Sequence, residues 1–240
     1  MSDPVLSLKG VCTDIAQYHI LRGVDLEVPA GGVTMLLGRN GVGKTTTLRT
    51  IMGLWRARQG QVLFDGEDIT TLPTPAIARR GIGFVPEDMG IFSDLSVEEN
   101  MTLAAVTGPI DQARLEWLHA AFPPLKTFWK KEAGTLSGGQ KQMLSVARAM
   151  IEKRRLYLID EPTKGLAPAI VATLAGALRA LKQEGASILL VEQNFSVAKA
   201  LGDTCAVMDD GRVVWAGEMA TLAGDTALQE RLMGLSMESA

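Results

Sequence analysis

The period of the apolar positions changes along the chain. Val5 to Val11, Val24 to Val28 and Gln61 to Asp65 are alternating or β-rich runs, with turns such as Ala30-Gly31-Gly32 and Asp65-Gly66 between them. Strand-forming runs bounded by glycine turns predict a partly antiparallel β-layer near the start. Leu156 to Ile159 and Ile188 to Val191 are short and continuously apolar, the pattern of strands buried on both faces of a parallel sheet. Between them Ile170, Leu174, Ala177, Leu178 and Leu181 recur at helical spacing. This predicts a strand-helix-strand unit whose ligands bind at the carboxyl ends of its strands. From about Glu87 to Lys153 the strand signal disappears, and helix-like segments run over Ser96 to Ala105, Asp111 to Ala120 and Ser137 to Ile151. One domain over 1–240 is therefore expected, with a core subdomain from about 1–86 and 154–240 and a helical subdomain from about 87–153. The lobe's connections through Pro123-Pro124 and Ala133-Gly134 read as turns. The last fifteen residues read as a short helix and a loose end.

Composition removes some functions. The 240 residues are 47% hydrophobic and 21% charged, ordinary for a globular protein, and the formal net charge is −3. That balance gives no general attraction to nucleic acid or to an anionic membrane surface, so no nucleic-acid partner is expected. Cys12 and Cys205 form no C-x-x-C pair and the start of the chain has no charged-then-apolar signal segment, which predicts a reducing, cytoplasmic home. Apolar runs such as Ile188 to Val191 fall far below the roughly 20 residues that span a bilayer. Any membrane role must then come through a partner.

The strongest chemical signal is GRNGVGKTT, between the apolar run Val33 to Leu37 and a helix-like segment from Leu48 to Leu54. Its spacing, G-x-x-x-x-G-K-[ST], marks a phosphate cradle: Gly38, Arg39, Asn40, Gly41, Val42, Gly43, Lys44, Thr45 and Thr46 are the expected nucleotide-binding residues. In such a loop backbone N–H groups face phosphate oxygens, Lys44 reaches the β- and γ-phosphates and the Thr45 hydroxyl ligates Mg²⁺. A glycine-rich turn with an incidental lysine is the bland alternative, and the strand before and helix after argue against it. Kinases, GTPases and motors share this loop, so it does not choose among them.

Leu136-Ser137-Gly138-Gly139-Gln140 precedes a helix whose Leu144, Ala147 and Ile151 would face the core. Taken alone, it is either a second anion site at a helix N-terminus or an ordinary cap with close packing. Together with the phosphate loop and the run ending in Asp160-Glu161, it resembles the signature sequence of ATP-binding cassette (ABC) proteins, in the family's motif order over nearly the whole chain. That resemblance implies an α/β P-loop NTPase with a mixed β-sheet core, an antiparallel β-layer and an inserted helical subdomain. It also implies a head-to-tail dimer with two ATP molecules between subunits. Each would touch Gly38 to Thr46 of one subunit and Ser137 and Gly139, flanked by Gly138 and Gln140, of the other. Asp160 would hold Mg²⁺ or its bound water, and Glu161 would orient and deprotonate the attacking water; a solvated acidic turn is the alternative for the pair. KGLAP, with Pro168 and no aspartate, lies where the family has its intersubunit D-loop.

Three positions depart from the family's general pattern. Glu87 stands where a Mg²⁺-sensing glutamine is common; a carboxylate can ligate the ion but adds repulsion beside phosphate and Glu161, and a surface acid is the plainer reading. Met89, Ile91 and Phe92, which follow it, form either a docking patch for a transport subunit or packing of the small lobe. Gln193 replaces the usual switch histidine. Its amide can donate to the γ-phosphate but cannot titrate, and His19 and His119 lie in other surroundings. No histidine titration is therefore expected to control hydrolysis. At the adenine position the count lands on Ile15, with Tyr18 the nearest aromatic. VPED, DEPTKGLAP, VEQN and IMGLW together resemble the F-type ATPase subunit of bacterial branched-chain amino-acid importers, and the ATPases of urea importers are closely similar. The resemblance implies an ATP- and Mg²⁺-dependent ATPase on the inner face of a bacterial plasma membrane. Its partners would be transmembrane permease subunits, a second ABC ATPase subunit of the same or a different kind and, indirectly, an external solute-binding protein. A urea or amide importer is the alternative. A soluble, non-transport ABC ATPase is less favoured, because no sustained heptad separates Lys44 from Ser137.

Overall fold

The structure is a computed structural model and describes residues 4–234. In chain order its elements are β1 (Leu6–Ile15), β2 (Tyr18–Val28), β3 (Val33–Leu37), α1 (Lys44–Ile51), β4 (Ala57–Phe64), β5 (Glu67–Asp68), α2 (Thr74–Arg79), β6 (Ile82–Val85), α3 (Val97–Ala104), α4 (Gln112–Ala121), α5 (Pro123–Thr127), α6 (Gly138–Met150), β7 (Leu156–Asp160), α7 (Pro168–Gln183), β8 (Ser187–Val191), α8 (Phe195–Leu201), β9 (Thr204–Asp209), β10 (Arg212–Glu218), α9 (Met219–Gly224) and α10 (Thr226–Met233). The expected loose end falls at 235–240, outside the described residues.

The strands form two sheets. A four-stranded antiparallel sheet has the order β2-β1-β4-β5, and a six-stranded mixed sheet has the order β10-β9-β3-β8-β7-β6. In the larger sheet β9, β3, β8, β7 and β6 run parallel, and β10 closes one edge antiparallel to β9. Side chains alternate across a strand, so each continuously apolar run feeds two cores. Leu156, Leu158, Leu189 and Val191 pack with α1 and the antiparallel sheet, whereas Tyr157, Ile159, Ile188 and Leu190 pack with α6 and α7. Each buried aliphatic side chain contributes about 1.5–3 kcal/mol, which is why these runs carry no charged residue before Asp160.

Between β6 and β7 the described chain is helical, apart from a single bridge between Ser96 and Glu132. Ser96 caps α3 in a reciprocal box with Glu99, and α6 buries Met143, Leu144, Val146, Ala147 and Met150. The expected turn at Pro123-Pro124 instead opens α5, because proline is pre-organised for the first helical turn and needs no N–H there. The helix after the phosphate loop starts at Lys44 and ends at Ile51, not Leu48 to Leu54, since Gly43 in the left-handed region caps it directly. Among the described residues no helix is long and apolar enough to cross a membrane.

Candidate functional site

The phosphate loop leaves the central strand β3 at Leu37 and enters α1 at Lys44. At two of its glycines both the backbone conformation and the space exclude a side chain. Gly38 has φ +140°, and a Cβ there would overlap the Met208 carbonyl oxygen. Gly43 has φ +107°, and a Cβ would meet the Leu21 side chain at 2.9 Å. The loop is thereby folded tightly against β2 and the end of β9. Lys44 is only 5% exposed. Its ammonium donates to the carbonyls of Gly38 and Arg39 at 2.9 Å each and stands 3.9 Å from Glu161 Oε1. Burial lowers its pKa, while the charges of Glu161, Asp160 and Glu87 raise it. Lys44 thus curls back over the loop.

Asn40, Lys44, Thr45, Thr46, Glu87 and Glu161 line one cavity of about 370 Å³ beside this loop. Parallel pairing sets its floor: Asp160 ends β7 opposite Val191, the end of β8, and the Glu161 N–H donates to the Val191 carbonyl at 2.9 Å. Both Asp160 carboxylate oxygens are buried without a hydrogen-bond partner. Burial pushes its pKa from 3.8 up to about 6; the Thr45 hydroxyl, short of hydrogen-bonding geometry, pulls the other way. An orphaned anion next to a threonine hydroxyl fits a divalent cation that completes its shell with phosphate oxygens and water. Among the described residues no cluster of three or more His, Cys, Asp or Glu could hold a metal unaided.

Glu161 sits in the left-handed region at φ +46° and is 8% exposed. Each of its carboxylate oxygens accepts from Gln193 Nε2 at 2.6 Å, and Lys164 Nζ lies 3.3 Å from Oε2. The structure therefore joins Gln193 directly to Glu161. Glu87 reaches the same cavity and accepts from Lys164 Nζ at 2.7 Å.

The signature residues lie elsewhere. Ser137 caps α6: its Oγ accepts from the Gln140 N–H at 3.4 Å, and its own N–H donates to Gln140 Oε1 at 2.9 Å. A Cβ on Gly139 would come 3.0 Å from Ile170 of α7, so close helix packing explains that glycine, while one on Gly138 would meet nothing. None of Ser137, Gly138, Gly139 and Gln140 lines the cavity at the phosphate loop, and Ser137 and Gly138 are exposed. Pro168 is the first residue of α7, following Ala167 as N-cap.

Ile15 and Tyr18 are cross-strand partners at the β1–β2 turn, so they occupy one face; Tyr18 is 63% exposed. Ile91 packs against the main core, Phe92 is exposed, and Met89 lines a groove of about 350 Å³ with Met52, Phe84, Pro86, Val106 and Arg148. Asn100 fixes this loop by pairing with the Phe92 backbone, and Arg148 donates to the Gly90 carbonyl. His119 packs edge-on against Trp129 and His19 pairs with Asp14. Two stabilising residues were not legible in the sequence. Buried Glu192 accepts from both the N–H and the hydroxyl of Thr163, stitching the Glu161 and Gln193 loops together. Burial raises its pKa.

A family profile described as ABC transporter matches residues 21–164. Over 232 residues the chain is 36% identical to the high-affinity branched-chain amino acid transport ATP-binding protein BraG of Pseudomonas aeruginosa, covering 96% of this chain and 100% of the relative. It is also 36% identical over 222 residues to a probable branched-chain amino acid transport ATP-binding protein, LivF, of Archaeoglobus fulgidus, covering 91% and 94% of the two chains. A solved structure of the ATP-binding subunit of an ABC transporter superposes with a TM-score of 0.82 at 29% identity, covering 98% of this chain and 96% of that one. The chain belongs to the ABC transporter family, as an ATP-binding subunit that hydrolyses ATP.

Proposed function

We propose that this ATPase powers a bacterial importer of branched-chain, hydrophobic amino acids. The observation that carries this reading is the likeness, over nearly all of both chains, to two ATP-binding proteins named for branched-chain amino-acid transport. In this reading the chain works at the inner face of the plasma membrane with transmembrane permease subunits. A second ABC ATPase subunit faces it, and an external solute-binding protein delivers the solute. Residues 87–153 form the helical subdomain, and the groove at Met89, Phe84 and Arg148 receives the permease; the exposed ring of Phe92, 5.0 Å from the Arg148 guanidinium, supports that assignment.

The backbone of Gly38 to Thr46 cradles the phosphates of ATP, and Lys44 leaves the Gly38 and Arg39 carbonyls for the β- and γ-phosphates. Thr45 and Asp160 would hold Mg²⁺, which when bound offsets phosphate charge; Glu87 stands at the cavity rim as a further oxygen donor. Glu161 orients the attacking water and takes its proton, and Gln193, already bonded to that carboxylate, steadies both base and γ-phosphate. Ser137 and Gly138 are exposed, and none of Ser137 to Gln140 lines this cavity, which supports their meeting the ATP held by the facing subunit.

Two measurements test the reading. Glu161→Gln should bind ATP and lose about 10²- to 10⁴-fold in turnover; hydrolysis at the parent rate would remove Glu161 from the base role. Tagging the chain in its native cell, solubilising membranes gently and identifying co-purifying proteins should recover multi-span permeases and a second ATPase. Recovery of soluble partners alone would reject the importer.

A further inference from the structure

Lys164 has no part in the roles assigned above, yet its half-exposed ammonium bridges two acids of the site. It lies 2.7 Å from Glu87 Oε1 and 3.3 Å from Glu161 Oε2. The sheet explains why those acids meet. Strands β6 and β7 pair in parallel through Val85 and Ile159, so the acids just past their ends, Glu87 and Glu161, emerge on one rim. Carboxylates gathered on one rim repel one another unless a cation stands between them. Lys44 cannot neutralise both, because it is 3.9 Å from Glu161 and held by the Gly38 and Arg39 carbonyls. Gln193 orients Glu161 but brings no charge. Lys164 is the cation that remains in contact with both acids.

We infer that Lys164 is a positioning residue for ATP hydrolysis: its ammonium neutralises Glu87 and, together with the Gln193 amide, holds the Glu161 carboxylate facing the phosphate-loop cavity. The inference rests on Glu161 being the base. It also gives Glu87 a different standing, since an acid at that position is tolerated beside the base because Lys164 accompanies it. Thr163, bonded to buried Glu192, anchors the backbone on the N-terminal side of Lys164, so the ammonium is presented from a fixed point.

The test is a double-mutant cycle. Lys164→Met keeps most of the side-chain length and removes the charge; Glu87→Gln removes the acid it accompanies. The kcat and KM for MgATP are measured for the parent, both single variants and the double variant. Binding of a fluorescent ATP analogue in excess EDTA is measured alongside. Lys164→Met should lower kcat about tenfold with KM held within about twofold, and the same change made in the Glu87→Gln variant should cost less than about threefold. Lys164→Arg should keep most of kcat. In EDTA, Lys164→Met should weaken analogue binding several-fold, and Glu87→Gln should restore it. Equal losses of kcat in the parent and in the Glu87→Gln variant, or no loss in either, would overturn the inference while leaving Glu161 in place. Parent-rate hydrolysis by Glu161→Gln would show instead that the underlying base assignment, and the inference with it, had failed.

Discussion

Asp160→Asn should make the metal-free protein more stable, although it removes a residue of the site. Both carboxylate oxygens of Asp160 are buried without partners, and burial lifts its pKa from 3.8 to about 6. That is roughly two units, and at about 1.4 kcal/mol per unit the ionised group costs the fold up to about 3 kcal/mol. Because the folded pKa is raised above the unfolded one, the cost is absent below about pH 4, grows up to about pH 6 and is constant above. Asparagine has nearly the same shape and no charge, so its advantage should follow the same curve: close to zero near pH 4 and about 2–3 kcal/mol at pH 7.5. For a chain of this length each kcal/mol moves Tm by about 2–4 °C. Thermal unfolding in EDTA should therefore give a midpoint about 4–12 °C higher for the variant at pH 7.5 and coincident midpoints near pH 4. Adding MgATP should narrow or reverse the gap, because the parent keeps the anion that the cation binds. A variant no more stable than the parent at pH 7.5, or an advantage that persists unchanged on acidification, would refute the view of Asp160 as a desolvated charge.

Other perturbations follow from the same geometry. Gly38→Ala would drive a methyl into the Met208 carbonyl oxygen at φ +140°; urea unfolding should register a loss of about 2–4 kcal/mol, with nucleotide binding abolished. Ser137→Ala removes a long, exposed cap bond, so the isolated chain should lose only about 0.5–1 kcal/mol, while ATP-dependent association measured by light scattering should fall much further. His19→Gln and His119→Gln should each leave the pH profile of kcat superimposable on the parent's. Neither ring lines the phosphate-loop cavity, and a limb of the profile that vanishes with either substitution would contradict this.

The parts of the molecule that depend on short-range order were readable from the chain. β7 and β8 are runs of apolar residues because both their faces are buried, and the spacing of Gly38, Gly43 and Lys44 is dictated by one tight turn into a helix. The hairpin of β9 and β10 was not, although Asp210-Gly211 is an ordinary turn signal, because β10 alternates between intermediate and exposed positions and leaves a weak apolar trace. Strand order was equally hidden: β3 lies between β8 and β9, partners far away in sequence. At the site, Glu87, Asp160, Glu161 and Gln193 could be named from the motifs, but the role of Glu192 and the pairing among these residues could not. The contacts of Glu87 with Lys164 and of Glu192 with Thr163 join residues 77 and 29 positions apart and exist only once neighbouring strands align.

The backbone at Glu161 has a consequence for how this protein can change. A side chain at φ +46° is held there against a local preference of about 1–2 kcal/mol, which glycine escapes and asparagine feels less. The same position carries a buried acid among other acids, so drift toward glycine or asparagine would relieve both conformational strain and charge crowding. With Glu161 as the proposed base, a library screened only for heat resistance should enrich such replacements early, returning proteins that outlast their ancestor and no longer turn over fuel. Purifying selection at this codon would then report continuously on whether transport matters to the cell.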